Sequence, residues 1–273
     1  MQFELAFAAP HEALRLYVRE YVGWFERSTT KVCRRELPSG EVPLIINFGT
    51  RVRERKGGSS GEWHDYGTFT AGLHEAFTTV TADGPGHGMQ VNFTAIGASL
   101  FYGRPLADLT NRTVELVDVL GSAATSLIAR LYETSGWEAR FTALDQEIAS
   151  RIGAARRPPS AVRWACHELM NSRGRASIAD LRRDIGWSER HFAVQFRDHV
   201  GLAPKAFARI LRFHRAVKVL TNRLDAKLAD VALECGYYDQ AHFTRDFRTF
   251  AGISPSALLE SRLPRGSGFR ANP

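Results

Sequence analysis

The second half of the chain contains one sequence pattern in two copies. The first copy reads IADLRRDIGWSERHFAVQFRDHVGLAP, from Ile178 to Pro204, and the second reads LADVALECGYYDQAHFTRDFRTFAGISP, from Leu228 to Pro255. Residues of the same kind recur at an offset of 50 up to a central glycine, and at an offset of 51 after it. A turn between two helices tolerates one inserted residue. The repeat therefore predicts two copies of one supersecondary unit.

Each copy begins with the pattern of a short helix followed by a turn. Alanine and aliphatic residues in 178–185 and 228–235 follow i, i+3, i+7 spacing, which gives one apolar helix face. Gly186 and Gly236 come next, where a helix end favours a residue that accepts a left-handed backbone without steric penalty. Both stretches are therefore predicted to be helices that end at these glycines.

The second half of each copy predicts another helix with one buried side. Ser188 and Asp239 are N-cap residues, whose side-chain oxygen accepts a hydrogen bond from a free backbone N–H. Two phenylalanines follow in each copy, at Phe192 and Phe196 and at Phe243 and Phe247. Two helices joined by a glycine turn are either a packed helical hairpin or a helix-turn-helix whose second helix enters the DNA major groove.

The stretch from Ser160 to about Arg262 resembles the DNA-binding domain of the AraC/XylS family of bacterial transcriptional regulators. The resemblance rests on the two Ile/Leu-Ala-Asp openings, the two turn glycines, and the runs RHFAVQFRDHVGLAPKAFARILRFHRAVKVL and LADVALECGYYDQAHFTRDFRTFAGISP. It implies two helix-turn-helix units joined by a long helix, which the sequence places from Pro204 to about Asn222. It also implies double-stranded promoter DNA as the partner, and activation through contact with RNA polymerase.

The resemblance further implies which residues contact DNA. Positions that face bases in the family are held here by Arg190, Ala193, Val194, Gln240, Ala241, Thr244 and Arg245. Arginine makes bidentate contacts with guanine, glutamine pairs with adenine, and small apolar side chains contact the thymine methyl group. Contacts with the DNA backbone are predicted for Arg182, Arg183, Ser188, Arg197, Arg212, Asp239, His242 and Arg248.

The formal charge is divided unevenly along the chain. Residues 156–273 carry a net charge of +10, whereas residues 1–155 carry −3, which together give the overall +7. A basic module is what binding to a polyanion requires, because each neutralised phosphate releases condensed counterions. Arginine-rich helices are also common on solvated surfaces, so the charge acquires meaning only together with the repeat.

The first part of the chain predicts a β-rich domain. Short alternating runs between Trp63 and Tyr102 are separated by Gly, Asp and Pro, which is typical of a sandwich or small barrel. The basic, turn-rich segment 51–62 is predicted to be a mobile hairpin loop, with DNA contact as a minor alternative. A small-molecule effector could bind within such a domain. The aromatic candidates for lining that site, each of which could equally be a core residue, are Trp24, Phe48, Trp63, Tyr66 and Phe93.

Helical patterns follow the β-rich part. Trp137, Phe141, Leu144, Ile148 and Ile152 form a stripe that either covers the sheet or serves as a dimer seam. The whole chain is thus predicted to be an α+β protein with two domains. It comprises a β-rich sensor or dimerisation domain with trailing helices (1–152), a linker (153–159), an all-α DNA-binding domain (160–262) and a flexible tail (263–273).

The rival functions are a cupin-like metal enzyme, a DNA-repair protein fused to a DNA-binding module, and a ligand-binding protein with a vestigial DNA-binding domain. His64, His74 and His87 lack the close spacing of a metal site. Cys33, Cys166 and Cys235 form no C-x-x-C pair, which favours a reduced, cytoplasmic setting. No cofactor motif or membrane span is predicted. The sequence therefore favours a non-enzymatic transcription factor, with a homodimer as an open alternative to a monomer.

Overall fold

The computed structural model describes residues 2–27, 32–57, 61–263 and 268–271. Strands dominate the first part and helices the second, which confirms the predicted fold class. The strands are β1 (Gln2–Ala8), β2 (Val18–Arg27), β3 (Arg34–Glu36), β4 (Glu41–Asn47), β5 (Val52–Lys56), β6 (His64–Tyr66), β7 (Phe69–Ala71), β8 (Thr78–Thr81), β9 (Gly86–Thr94), β10 (Thr113–Glu115) and β11 (Phe269–Arg270).

The described strands pair into two antiparallel sheets. The larger sheet has the order β1-β2-β9-β4-β7-β10, and the smaller has the order β11-β3-β8-β5-β6. Alternation along β4 explains how the larger sheet is buried, since Val42, Leu44 and Ile46 are fully buried while their neighbours are half-buried. Successive side chains of a strand point to opposite faces, so these three residues mark the face that packs against helices.

The α-helices come after β9 in the chain. They are α1 (Ala95–Tyr102), α2 (Leu116–Leu120), α3 (Ser122–Glu133), α4 (Trp137–Ala154), α5 (Ser160–Asn171), α6 (Ile178–Ile185), α7 (Glu189–Val200), α8 (Pro204–Asn222), α9 (Leu228–Glu234), α10 (Gln240–Ala251) and α11 (Pro255–Glu260). Short 3-10 helices lie at Glu12–Leu14 and Leu106–Leu109. No described helix combines the length and apolar character that crossing a membrane requires.

Helix α4 covers the larger sheet. The Phe141 ring stacks on Tyr21 of β2 with a centroid distance of 5.7 Å, and Trp137 lies directly over Gly23. Only glycine leaves room for that indole, because a Cβ at position 23 would overlap it. The apolar stripe of α4 therefore packs within the chain, which is the first of its two predicted roles.

The segment 51–62 lies in a hairpin, as predicted, but part of it is a paired strand. Residues Val52–Lys56 form β5, which pairs with β8 on one side and β6 on the other, while residues 58–60 lie outside the described part. Arg55 is buried and its guanidinium lies over the Trp63 ring at 4.7 Å. The turn-rich, polar composition predicted the hairpin but not the burial of Arg55 beside an aromatic ring, a contact that favours a guanidinium.

The long connecting helix is confirmed as α8, which begins at the predicted Pro204 and ends at Asn222. Its fully buried residues include Phe213. Leu211 of the same helix lies against Gly40, the residue before β4. One face of α8 therefore packs on the β-rich part as well as on its own neighbours.

The predicted linker 153–159 overlaps the interval between two helices, except that residues 153 and 154 belong to α4. Helix α4 ends at Ala154 and α5 begins at Ser160, so the extended stretch covers 155–159. Buried residues form one continuous cluster across both parts of the chain, and the division into two domains stays a prediction. Within the predicted tail, β11 pairs with Arg34 and Arg35 of β3, a contact that the prediction of a flexible tail did not include.

Candidate nucleic-acid interface

The first helix-turn-helix is formed by α6 and α7 and is held by local caps. Gly186 ends α6 with φ 75°, the left-handed conformation predicted for it. The Ser188 hydroxyl accepts a hydrogen bond from the backbone N–H of His191 at 3.3 Å, which fixes the start of α7. The glycine and the capping serine each act within a few residues along the chain, so the sequence alone is enough to predict this unit.

The second unit, formed by α9 and α10, repeats this geometry. Gly236 follows the end of α9 with φ 83°. The Asp239 carboxylate accepts a hydrogen bond from the backbone N–H of His242 at 2.7 Å and caps α10. Ser188 and Asp239, both predicted to contact the DNA backbone, thus have confirmed capping roles, while their contacts with DNA stay predictions.

The predicted phenylalanine pairs form the buried sides of α7 and α10. Phe192 and Phe196 are 2% and 0% exposed, and Phe196 packs on Phe207 of α8 with ring centroids 5.9 Å apart. Phe247 of α10 packs on Phe213 of α8 at 5.1 Å. Both second helices are therefore fixed to α8 by aromatic contacts, and each leaves its opposite face in solvent.

The outward face of α7 carries the residues predicted to face bases. Arg190 and Val194 are exposed, and Ala193 between them is half-buried. Arg197, one turn further along, is also exposed. Positions 190, 193, 194 and 197 follow i, i+3, i+4, i+7 spacing, so they share one helix face. On that face, Arg190 could contact a guanine, and Ala193 and Val194 supply apolar surface beside it.

On α10 the predicted residues line a shallow groove. Its lining residues are Gln240, Ala241, Thr244, Arg245, Arg248 and Thr249. All four base-facing predictions on this helix are among them, together with Arg248, which was predicted to contact the backbone. Thr249 was not among the predicted contacts; it follows the same periodicity, and its hydroxyl donates to the Arg245 carbonyl at 3.1 Å.

The predicted backbone contacts divide into available and occupied side chains. Arg183, Arg197 and Arg248 are exposed, and Arg183 forms an ion pair with Asp180. Arg182 is half-buried. The Arg212 guanidinium donates to the Gly174 carbonyl at 2.9 Å and lies over the Tyr237 ring at 5.7 Å. Arg212 thus holds the helices together, a role that its position in the sequence did not indicate.

An ion pair between α8 and α10 lies directly beneath the outward face of α10. The Arg209 guanidinium donates to both carboxylate oxygens of Asp246, at 2.8 and 3.2 Å. The Asp246 side chain is only 8% exposed, whereas that of Arg209 is 39% exposed. His242, a predicted backbone contact, lies on the solvent side of this pair, with its ring nitrogen 3.8 Å from Asp246. Sequence analysis missed the pair because its members are 37 residues apart.

Tyr238 is a further residue that the sequence predictions omitted. It precedes the N-cap of α10 and is 87% exposed, the largest exposure among the apolar and aromatic side chains of the described residues. An aromatic residue between a turn glycine and an N-cap was the available signal. Its position beside Gln240 places it at the edge of the α10 groove.

The five aromatic candidates for effector binding do not converge on one site. Phe93 is fully buried and stacks on Phe101 of α1 at 4.8 Å, so it is a core residue. Phe48 packs against His87 at 5.2 Å on the helix-covered face of the larger sheet. Trp24 lies against Gly88. Its strand neighbour Phe25 contacts His87, so Trp24 points to the opposite face.

The remaining two candidates belong to the smaller sheet. Tyr66 contacts Phe69 of the larger sheet with ring centroids 5.4 Å apart, and so bridges the two sheets. Trp63 is covered by the guanidinium groups of Arg55 and Arg53. Trp24 and Tyr66 are half-buried, lie off the helix-covered face and belong to different sheets.

Residue types used in catalysis are scattered through the described residues. No group of three or more His, Cys, Asp or Glu side chains in these ranges is arranged to hold a metal ion. Cys33, Cys166 and Cys235 are buried free thiols, and burial raises the pKa of Cys166 to about 12. A thiol with a raised pKa is a poor nucleophile at neutral pH.

Two family models match the chain. Residues 181–261 match a family described as "Helix-turn-helix domain", and residues 6–115 match one described as "Domain of unknown function (DUF6597)". The first match begins within α6 and covers α7, α9 and α10 with both outward faces described above.

Curated relatives match about a third of this chain. An uncharacterized HTH-type transcriptional regulator of Staphylococcus aureus strain MSSA476 is 32% identical over 86 residues, which is 32% of this chain and 11% of that protein. An uncharacterized HTH-type transcriptional regulator of Haemophilus influenzae is 34% identical over 84 residues, 31% of this chain and 28% of that protein. The match thus spans about a tenth to a quarter of these relatives' length.

Solved structures with a similar chain course are also bacterial. ToxT from Vibrio cholerae shares 8% sequence identity with a TM-score of 0.46, over 94% of this chain and 97% of that one. The C-terminal domain of AraT, a response regulator from Geobacillus stearothermophilus, shares 18% identity with a TM-score of 0.36, over 41% of this chain and 93% of that one. Similarity this low carries no inference about ligands.

Proposed function

We propose that this chain, in which residues 181–261 are an AraC-type helix-turn-helix domain, is a sequence-specific DNA-binding transcription regulator. The observation that carries the proposal is the pair of outward helix faces on α7 and α10. Each is capped at its start, fixed to α8 by phenylalanines, and left open to solvent on a basic module.

The two faces would read bases in successive major grooves. Helix α8 has 19 residues and spans about 28 Å, which is comparable to one turn of B-DNA at roughly 34 Å. Arg190 and Arg245 are assigned to guanine, Gln240 to adenine, and Ala193 with Val194 to a thymine methyl group. Exposed Arg183, Arg197 and Arg248 are assigned to phosphates.

Two substitutions test the assignment to bases. Arg190→Ala and Arg245→Ala should each weaken binding to a preferred duplex by about 1–3 kcal/mol and relax the preference at one base pair. Their binding to random DNA should change far less. Affinities are measured by fluorescence anisotropy at near-physiological salt, since the phosphate contribution depends on ionic strength.

A matched control separates a local effect from loss of general charge. Arg15 is an exposed arginine in the β-rich part, and Arg15→Ala should leave both affinities unchanged. If Arg190→Ala and Arg245→Ala weakened specific and random binding equally, these arginines would contact phosphate only. The assignment of bases to α7 and α10 would then be wrong.

The proposal extends to regulation by a small molecule. The β-rich part is the proposed sensor, and Trp24 and Tyr66 are its candidate ligand contacts. Its proposed partners are promoter DNA, an unidentified effector and RNA polymerase, with activation as the mode that the family resemblance implies, in the bacterial cytoplasm. A promoter reporter tests the mode: loss of the regulator should lower transcription of its target, and increased transcription would indicate a repressor.

A homodimer is the proposed assembly. Strand β1 lies at the end of the larger sheet and pairs with β2 on one side among the described strands, with Leu5 42% and Phe7 65% exposed. An edge strand with exposed apolar residues is a surface that pairs with another chain. Sedimentation equilibrium of the protein and of Phe7→Lys tests this: the wild type should dimerise and the variant should not.

A further inference from the structure

The outward helices α7 and α10 both end against the β-rich part of the chain. The carbonyl of Gly201, which ends α7, accepts a hydrogen bond from the Thr110 hydroxyl. The carbonyl of Ala251, the last residue of α10, accepts a hydrogen bond from the Arg35 guanidinium at 2.6 Å. Thr110 follows the Leu106–Leu109 helix and Arg35 belongs to β3, so separate elements of the β-rich part hold the two ends.

Packing reinforces the hydrogen bond at the end of α10. Gly252 ends this helix with φ 71°, and the Phe77 ring fills the space that a Cβ would occupy there. The Arg35 guanidinium in turn lies over the Phe77 ring at 4.1 Å. A cation at a helix C-terminus is also favoured by the helix dipole. Arg35 therefore stabilises this end of α10 through a hydrogen bond, a ring contact and its charge.

Packing acts in the same way at the end of α7. Gly201 is buried, with φ 94°, and a Cβ at this position would lie 3.3 Å from the Thr110 hydroxyl and 3.5 Å from the Leu106 side chain. Leu106 is fully buried. The Leu106–Leu109 helix and α1 both contact α7. The end of α7 is therefore fixed to the β-rich part as closely as the end of α10.

Two rigid attachments outside the helical part constrain the geometry inside it. Helix α8 holds both units through Phe196 and Phe247, and the attachments of α7 and α10 to the β-rich part add a second constraint at the opposite ends of those helices. We propose that Arg35 and Thr110 are positioning residues that set the separation and relative angle of α7 and α10, and thereby the spacing of the two DNA half-sites. The statement about DNA rests on the proposed function, whereas the statement about helix geometry does not.

A distance measurement without DNA tests the geometry. Val194 and Ala241 are exposed on the two outward faces, and the three native cysteines are buried, so Val194→Cys with Ala241→Cys accepts paired spin labels. Pulsed electron paramagnetic resonance should give one narrow distance distribution. In the Arg35→Met/Thr110→Val background the distribution should be at least about twice as broad, because both helix ends are released.

Matched variants control for general destabilisation. Arg51→Met/Thr142→Val makes the same chemical changes elsewhere in the first part of the chain, at an exposed ion pair and on α4, and should leave the distribution narrow. Thr110→Ser retains the hydroxyl and should behave as wild type, whereas Thr110→Val alone should broaden the distribution. An unchanged distribution in Arg35→Met/Thr110→Val would show that α8 alone sets the geometry and would overturn the inference.

A spacer series then tests the consequence for DNA. Duplexes carry the preferred half-sites with the spacing changed by one base pair in either direction, and each base pair adds about 3.4 Å. Wild type should discriminate between spacers by about tenfold or more, and Arg35→Met/Thr110→Val by less than about threefold. Equal discrimination by both proteins would refute control of spacing. Absence of any DNA binding by wild type would instead refute the proposed function, whatever the label distances are.

Discussion

Removing Arg209 should destabilise the protein far more than neutralising its partner Asp246. The two side chains form a bidentate pair between α8 and α10, with Nη2 and Nε donating at 2.8 and 3.2 Å. The Arg209→Met variant keeps most of the aliphatic stem but leaves the carboxylate of Asp246, whose side chain is 8% exposed, without its guanidinium. An unpaired buried charge is the costly result of breaking such a pair.

Arg209 and Asp246 differ in exposure, and this difference determines how much stability each substitution should cost. Arg209→Met should cost about 3 kcal/mol, the low end of values for a broken buried pair, because water reaches the site through the 39% exposed arginine. Asp246→Asn keeps one carbonyl acceptor and leaves an arginine that water can solvate, so it should cost about 1 kcal/mol.

Urea unfolding followed by circular dichroism measures both free energies, and an unchanged m-value would show that the unfolding transition is comparable. Arg130→Met is the matched control, since Arg130 forms an exposed ion pair with Glu147 on α4 and should cost well under about 1 kcal/mol. Equal costs for Arg209→Met and Asp246→Asn, or a larger cost for Asp246→Asn, would refute the reasoning from exposure.

Three further substitutions have outcomes fixed by the structure. Burial lowers the pKa of His74 and of His214 from 6.5 to about 4, so between these pH values the unfolded chain binds protons that the folded chain does not. The free energy of unfolding should therefore fall as the pH decreases from 6.5 to 4. His214→Gln should make this fall less steep in unfolding experiments across that pH range, and an unchanged slope would contradict the reasoning. Gly252→Ala should lower stability more than Gly186→Ala, because both glycines have a positive φ but only at Gly252 would the new methyl group collide with the Phe77 ring. Equal losses of stability in thermal unfolding would contradict this. Phe93→Ala should lower the free energy of unfolding by about 3–5 kcal/mol, because it truncates a core residue. If the variant were instead stable but no longer responded to an effector, Phe93 would be a ligand contact.

The helical part could be predicted because its signals are local. Ser188 caps a helix whose first N–H groups are three residues away, and Gly186 is required by its own backbone angle. The Phe192 and Phe196 spacing identifies the buried face without reference to any other element. The predicted outward faces follow from these same signals, and the structure places their residues on the solvent side.

The contacts that position these helices could not be predicted, because they join distant parts of the chain. Arg35 and Ala251 are 216 residues apart, and nothing near either one indicates the other. The sequence could not choose among the aromatic candidates for a related reason: alternation assigns Trp24 and Phe25 to opposite faces but does not say which face a second layer covers. Arg212, predicted to contact phosphate, is occupied by Gly174 and Tyr237 for the same nonlocal reason.

The most direct test of sequence-specific reading by α7 and α10 is selection from random duplex DNA by the purified full-length protein at near-physiological salt. We predict enrichment of a bipartite site with halves about 10 bp apart, one read by each helix. Arg190→Ala should degrade one half, and Arg245→Ala the other. Binding without enrichment of any sequence would contradict the account, because the basic module would then hold DNA through its phosphates alone.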